Sequence, residues 1–332
     1  MAVQWQDDSI FNHFTVFEET FKTVGSHKIM AAILIPKGLA PGVHPAIFNF
    51  HGGFLVNAHS LFAPFFPIWS LKLALENKAI IVSPDYRLLP SENGVADILE
   101  DLEDFWQWSR NDNFAKMLQN RSPEHSLDVS RLLLTGSSAG GYAAIQLALT
   151  HPDDIQAVAT AYPFVNPRDP IMLSGPRDDE PTILRMAREE MPSKTSVLDW
   201  IEEKKNTVTT KAGFERTLFA AAAAQYGLYH SKIFDPRGLN RPEFIPIERL
   251  QAGARLPKKI WILHGNADSV VHLRTTQEFV DLILEKLPDT TVRFDVAGGE
   301  DHAFDHFKTS WELHAMGALD FVKRSWLEAS YY

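Results

Sequence analysis

The chain has 332 residues, 45% hydrophobic and 22% charged, an ordinary balance for a globular protein with a large core. Its net charge of −10, with Lys and Arg scattered, argues against nucleic acid or an anionic membrane as a partner. Cysteine is absent, which excludes disulfides, thiolate catalysis and cysteine-ligated metal and permits a cytoplasmic location.

Residues 1–9 carry neither the basic n-region nor the apolar h-region of a secretory signal, and no run of about 18 apolar residues predicts a membrane span. The expected location is therefore cytoplasmic. Residues 1–16 mix aromatic and acidic side chains and are read as a helix or arm packing over the site. Two strands, 17–24 and 28–35, are joined at Gly25-Ser26 as a hairpin. Prolines and glycines mark 36–45 as a loop. A short apolar strand, 46–50, runs into His51-Gly52-Gly53-Phe54, and 65–77 reads as a helix. Another buried strand, 79–82, precedes Asp85-Tyr86-Arg87-Leu88. The amphipathic helix 95–109 bears Glu100, Asp101, Glu103 and Asp104, which read as a solvated face.

The apolar run 131–135 ends in Gly136-Ser137-Ser138-Ala139-Gly140, and good helix formers follow over 142–149. Strand 155–161 comes next. From 164 to 255 the alternation of strand and helix stops, and Pro, Arg, Glu and Lys are frequent. One helical run there, 217–226, is rich in alanine. This segment is read as a helical cap inserted between a first core part, 1–163, and a second, 256–332. Alternation returns with strand 259–263, helix 275–286, strand 292–296 and a closing helix, 310–329. Repeated strand–helix units with short buried strands predict an α/β fold, a mostly parallel sheet covered on both faces. Functional groups in such sheets sit at the carboxyl ends of the strands.

Gly-x-Ser-x-Gly between a strand and a helix is a sharp turn that leaves the central serine, Ser138, exposed at its tip. A serine hydroxyl is a weak nucleophile until a base takes its proton, and that base is a histidine held by a carboxylate. The chain order Ser, acid, His selects Asp268, in the loop after strand 259–263, and His302, in the loop after strand 292–296. His306 is the rival base, four residues on, while His264 reads as structural. Donors for an oxyanion are the amide of Ala139 and those of Gly52 and Gly53, where a side chain would block close approach of backbone to substrate. No His-Glu-x-x-His or clustered spacing points to a metal, and no cofactor is implied.

Together, His51-Gly52-Gly53, Asp85-Tyr86-Arg87-Leu88, Gly136-Ser137-Ser138-Ala139-Gly140-Gly141 and the Asp268 and His302 loops resemble the hormone-sensitive-lipase-like branch of the α/β-hydrolases. The resemblance spans roughly residues 44 to 325, the insertion excepted. It implies hydrolysis of a carboxylic ester through an acyl-serine intermediate, without metal or organic cofactor. It also implies that Asp85-Tyr86-Arg87 brace the loop around the first motif. Two residues depart from it. Phe54 stands where a third glycine is usual and alters the pocket wall; Asp301 replaces a small residue before the histidine and either bears on the base or faces water.

Aromatic side chains crowd the stretch after the first motif and recur in the insertion. Phe54, Phe65, Trp69 and Tyr226 are assigned to an apolar pocket, so the expected partner is a small molecule, a hydrophobic or aromatic ester of modest size. A homodimer is left open. The alternative keeps the three residues and changes the bond: an amide, a lactone or a carbon–carbon bond of a secondary-metabolite-like substrate, or its dehydration or cyclisation. A non-catalytic small-molecule receptor on the same scaffold is a third reading.

Overall fold

Eight strands join one sheet in the order β1-β2-β4-β3-β5-β6-β7-β8 in the computed structural model, which describes residues 6–306 and 308–328, the backbone alone over 308–313. The hairpin β1 (Phe14–Val24) and β2 (His27–Pro36) supplies the antiparallel edge. From there to the other edge every pair is parallel. In chain order come β3 (Gly42–Phe50), α1 (Ile68–Asn77), β4 (Ile80–Pro84), α2 (Val95–Ser109), α3 (Asp112–Arg121), β5 (His125–Ser137), α4 (Ala139–Thr150) and β6 (Ala157–Ala161). Four helices follow: α5 (Pro170–Ser174), α6 (Lys194–Lys204), α7 (Thr217–Gln225) and α8 (Pro246–Gln251). Then β7 (Lys259–Gly265), α9 (Leu273–Lys286), β8 (Thr291–Ala297) and α10 (Lys308–Leu327) complete the chain.

Helices on both sides give the sheet two dry faces, which explains the unbroken apolar runs within its central strands, such as Leu132 to Leu134 and Ile260 to Leu263. Successive residues of β7 divide between them. Ile260 and Ile262 join the core that holds Phe48, Phe105 and Tyr142, while Trp261 and Leu263 join the core that holds Trp69, Leu73 and Trp326.

Several local expectations change. Residues 8–11 form a short 3-10 turn and β1 begins at Phe14, so 14–16 belong to the sheet rather than to an arm; residues 1–5 and Ala329 lie outside the described residues. The loop at 36–45 gives way to strand at Gly42, where Gly42 to Pro45 pair with His125 to Asp128 of β5. Helix α3 was not predicted; its Asn111 cap accepts from the Phe114 amide at 3.0 Å, and Phe114 and Leu118 are buried. Of the acids on α2, Glu100, Glu103 and Asp104 do reach solvent, but Asp101 does not. Asp101 is fully buried, where its carboxylate receives Arg87 Nε at 2.9 Å and Lys22 Nζ at 2.8 Å, and Asp97 meets Arg87 Nη1 at 2.9 Å. Buried charges persist only when paired in this way.

Between β6 and β7 the chain adds no strand to the sheet. Helices α5 and α6 each pack on α7, whereas α8 packs on α4 and α9. A bridge between Ala58 and Ala212 ties this segment to the loop after β3.

Candidate active site

Strand β5 ends at Ser137 and α4 begins at Ala139, so Ser138 alone makes the turn. It does so at φ 57° and ψ −121°, a conformation that costs energy and persists only when its surroundings impose it. The Ser138 amide donates to the Ala161 carbonyl at 2.9 Å, and its own carbonyl accepts from Tyr142 at 3.0 Å and Phe164 at 3.2 Å. Helix and neighbouring strand must approach closely to do this. A Cβ on Gly140 would lie 2.1 Å from the Phe50 carbonyl oxygen, so only glycine fits there.

Two loops at the ends of β7 and β8 bring the partners of Ser138. His302 Nε2 lies 3.0 Å from Ser138 Oγ, and His302 Nδ1 lies 2.8 Å from Asp268 Oδ2. The other carboxylate oxygen, Oδ1, accepts from the Val270 and Val271 amides, both at 2.8 Å, which turns Oδ2 towards the imidazole. A carboxylate accepts only, so Nδ1 carries the proton; Nε2 is then bare and receives the Ser138 hydroxyl. Burial opposes the charge on Asp268, but the neighbouring His302 and the His264 bond outweigh it and hold the carboxyl well below its usual range.

His264 is fully buried. Its Nε2–H donates to the Val271 carbonyl at 2.8 Å, 3.3 Å from Asp268 Oδ2, and its Nδ1 bonds Thr276 Oγ1 at 3.0 Å. It secures the acid loop. The rival base, His306, meets neither Ser138 nor Asp268. It is buried in the wall beside Phe65, 3.7 Å from Asp305, and burial shifts it towards the neutral form.

Strand β3 adjoins β5, and its end carries His51, Gly52 and Gly53 to the serine. A Cβ on Gly52 would lie 3.8 Å from Ser138 Cβ. Gly53 has φ +101° and sits so close to Asn57 that a Cβ would lie 2.6 Å from its carbonyl oxygen. Ala139 opens α4, so its N–H is one of those without an intrahelical partner. Burial pushes the His51 imidazole down to about 3, so the ring is neutral, and its Nδ1–H donates to the Gly52 carbonyl at 2.9 Å. C=O and N–H point opposite ways across a trans peptide, so this bond also sets the direction of the Gly53 N–H.

Tyr86 stacks on His51, with centroids 4.1 Å apart and planes within 7°, and its hydroxyl donates to the His51 carbonyl at 2.8 Å. Asp85, pushed up to about 6 by burial, accepts from the Ser60 amide at 2.7 Å. Arg87 is the residue that neutralises the α2 carboxylates. Tyr86 thus backs the loop that carries Gly52 and Gly53 and Asp85 holds the chain further along it at Ser60, whereas Arg87 faces α2.

A cavity of about 130 Å³ opens over Ser138. Phe54 and Phe65 line it as predicted, with Tyr162, Leu184, Phe214, Thr217, Ala303 and His306. Trp69 and Tyr226 do not line it. Trp69 points from α1 into the core beneath the sheet, edge-on to Trp261 at 5.3 Å, and its Nε1 donates to Asp305 at 2.8 Å. Tyr226 ends α7 and donates to the Pro192 carbonyl at 3.0 Å within the insertion. Their large apolar bodies suggested a pocket, but bodies of that size also fill cores.

Several wall residues went unassigned. Tyr162 follows the strand next to the serine strand, a position that is itself a signal in this topology. Its ring lies 4.5 Å from that of His302, and its hydroxyl donates to the buried Asp305, which also accepts from Ser137 Oγ at 3.1 Å. Leu184 sits in an irregular turn with φ 57°, and nothing in the local sequence announces it. Asp301 does not simply face water: it bears on the base by holding the backbone of His302. One oxygen collects the Ser269 amide and hydroxyl and the His302 amide at 2.7–2.9 Å; the other pairs with Arg185 of the insertion at 2.6 Å.

Among the described residues no cluster of three His, Asp or Glu is set to hold a metal ion, and no helix is long and apolar enough to cross a membrane. A parallel sheet with a strained serine after β5, met by an acid after β7 and a histidine after β8, defines an α/β-hydrolase. The chain belongs to the α/β-hydrolase fold family, whose sequence profile matches residues 47–225. It is 28% identical over 327 residues to "Probable carboxylesterase M8" of a Phoma species, covering 96% of this chain and 98% of that one. It is 32% identical over 198 residues to "Probable carboxylesterase clz11" of Cochliobolus lunatus, covering 58% and 86%. A solved esterase from Pyrobaculum calidifontis shares the fold, with a TM-score of 0.61 at 21% identity over 96% of this chain and 87% of that one.

Proposed function

We propose that the protein is a serine hydrolase that cleaves a carboxylic ester of a hydrophobic or aromatic small molecule through an acyl-serine intermediate. The observation that carries this reading is the continuous hydrogen-bonded path from Ser138 Oγ through His302 to Asp268, at 3.0 and 2.8 Å, beside an apolar cavity.

The chemistry follows from that path. Ser138 Oγ attacks the ester carbonyl as its proton passes to His302 Nε2. Asp268 fixes the tautomer that makes this transfer available and balances the imidazolium it creates. The N–H groups of Gly52, Gly53 and Ala139 receive the oxyanion, and losing one such donor costs on the order of 10²- to 10³-fold in rate. Collapse breaks the bond to the alcohol oxygen, which takes the proton from Nε2. Water then repeats the sequence on the acyl-serine, losing its proton to Nε2, and the carboxylic acid leaves with Ser138 restored.

The names of the curated relatives favour an ester over an amide or a carbon–carbon bond. Residues 164–255 act as the cap, contributing Leu184, Phe214 and Thr217 to the cavity wall. A receptor has no use for a strained serine within bonding reach of an oriented imidazole, which weighs against the non-catalytic reading.

The test is a fluorophosphonate probe followed by an ester assay. Labelling at Ser138, abolished in Ser138→Ala, together with turnover of an acyl ester is the expected result. An unlabelled protein without esterase activity overturns the assignment. His302→Ala is expected to lose several orders of magnitude in kcat, and His306→Ala only a few-fold.

A further inference from the structure

We infer that the site accepts a short acyl group, acetyl above all, esterified to a larger apolar or aromatic alcohol, and that Phe54 enforces this asymmetry. The inference rests on the ester-hydrolase reading above.

Two cavities meet at Ser138, and Phe54 lines both. The larger, about 130 Å³, includes His302 in its wall together with Phe65, Leu184 and Phe214. The smaller is about 10 Å³ and is bounded by Ala139, Phe164, Met172, Tyr229 and Val271, without His302. Proton transfer decides which is which. The departing alcohol oxygen must take its proton from His302 Nε2, so the alcohol lies on the histidine side, in the larger cavity. With the oxyanion turned to the backbone donors, the acyl substituent is left with the smaller one. A volume of that size holds about one water, hence about one methyl group.

The wall of the small cavity is firmly held. Tyr229 is buried, packs edge-on against Phe54 at 6.3 Å and Phe164 at 6.0 Å, and donates its hydroxyl to the Phe54 carbonyl. Phe54 itself adopts φ 57°, which favours glycine, so a side chain has been placed where the backbone conformation discourages one. Such a residue persists only when its surroundings over-determine it. Discrimination in apolar pockets runs at roughly 10- to 200-fold per methylene, so several carbons beyond acetyl are rejected strongly.

Hexyl acetate and ethyl hexanoate test this directly. They are isomers with similar leaving-group reactivity and opposite placement of the chain. The native protein is expected to prefer hexyl acetate by at least about 100-fold in kcat/KM. Phe54→Ala should bring the ratio below about 10 by gaining activity on ethyl hexanoate, and Met172→Ala, which enlarges the same cavity at another of its lining residues, should move it in the same direction. Met172→Ala carries the test if Phe54→Ala does not fold. Equal turnover of the two isomers by the native protein, or a preference for ethyl hexanoate, overturns the inference while leaving the hydrolase reading intact. So does an unchanged ratio in a folded variant. Absence of turnover of any ester, with Ser138 unlabelled, removes both.

Discussion

Replacing Asp268 by Asn is nearly isosteric and should cost activity far more than stability. In the native loop Oδ1 accepts from the Val270 and Val271 amides while Oδ2 faces His302. An amide keeps one acceptor, and two backbone donors compete for it. The Asn oxygen therefore occupies the Oδ1 position, and its NH₂ group is forced to face Nδ1 of His302. An NH₂ only donates, so the imidazole must present a bare Nδ1 and carry its proton on Nε2. That nitrogen then points a proton at Ser138 instead of an acceptor. The expected loss is about 10⁴-fold in kcat, the size seen when this tautomer is inverted in other serine hydrolases. KM should stay within a few-fold, because Asp268 does not line the substrate cavity. Loss of one charge-assisted bond predicts destabilisation of about 1.5–3 kcal/mol, and the NH₂ facing His264 Nε2–H adds to it. Steady-state kinetics with a short acyl ester and urea unfolding measure both quantities. A folded Asp268→Asn protein that keeps kcat within tenfold of the native value refutes this account of the loop.

Gly140→Ala should be insoluble or inactive, since its Cβ would meet the Phe50 carbonyl at 2.1 Å and neither backbone can yield; a native-like melting profile with full activity would contradict this. Arg185→Ala removes a half-exposed ion pair of the kind worth about 0.2–1 kcal/mol, so KM should rise up to about fivefold with little change in kcat, through looser placement of Leu184. Asp301→Ala should cost more, because it also strips the acceptor shared by the Ser269 and His302 amides. For His51, the folded value of about 3 lies below the ordinary 6.5, so the unfolded chain takes up a proton there that the folded chain refuses. Stability is therefore lost as pH falls from about 6.5 towards 3, by roughly 4–5 kcal/mol from this group alone. Asp85 has the opposite sign: its folded value of about 6 lies above 3.8, so its contribution is full below pH 3.8 and fades as pH rises through 6. Urea unfolding of His51→Gln at pH 4.5 and 7 should accordingly show a smaller acid penalty than the native protein, by about 2–3 kcal/mol; an equal penalty disproves the burial argument.

The central strands were legible because a parallel sheet buried on both faces demands short unbroken apolar runs, and Leu132 to Leu134 or Ile260 to Leu263 leave little else to be. The order of Ser138, Asp268 and His302 was legible for a related reason. Strand ends in such a sheet converge at one edge, so residues just beyond three strands are neighbours whatever their separation in the chain. Where burial depends on partners far along the chain, the sequence was silent or misleading. Asp101 looked solvated because its partners, Lys22 and Arg87, lie in other elements. Trp69 looked like a pocket residue because composition records that a ring is large and apolar, not which side of the sheet it enters.

By itself, then, the order of residues determined the sheet, the sharp turn at Ser138 and the set of groups available to face it, since each depends on local periodicity, steric size and chain order. Only the tertiary structure decided which aromatic rings bound the cavity, that Asp301 reaches Arg185 of the insertion, and that Phe54 divides the space at Ser138 into a large and a small part. Those outcomes depend on how surfaces distant in the chain pack together, and no window of sequence contains both sides of such a contact.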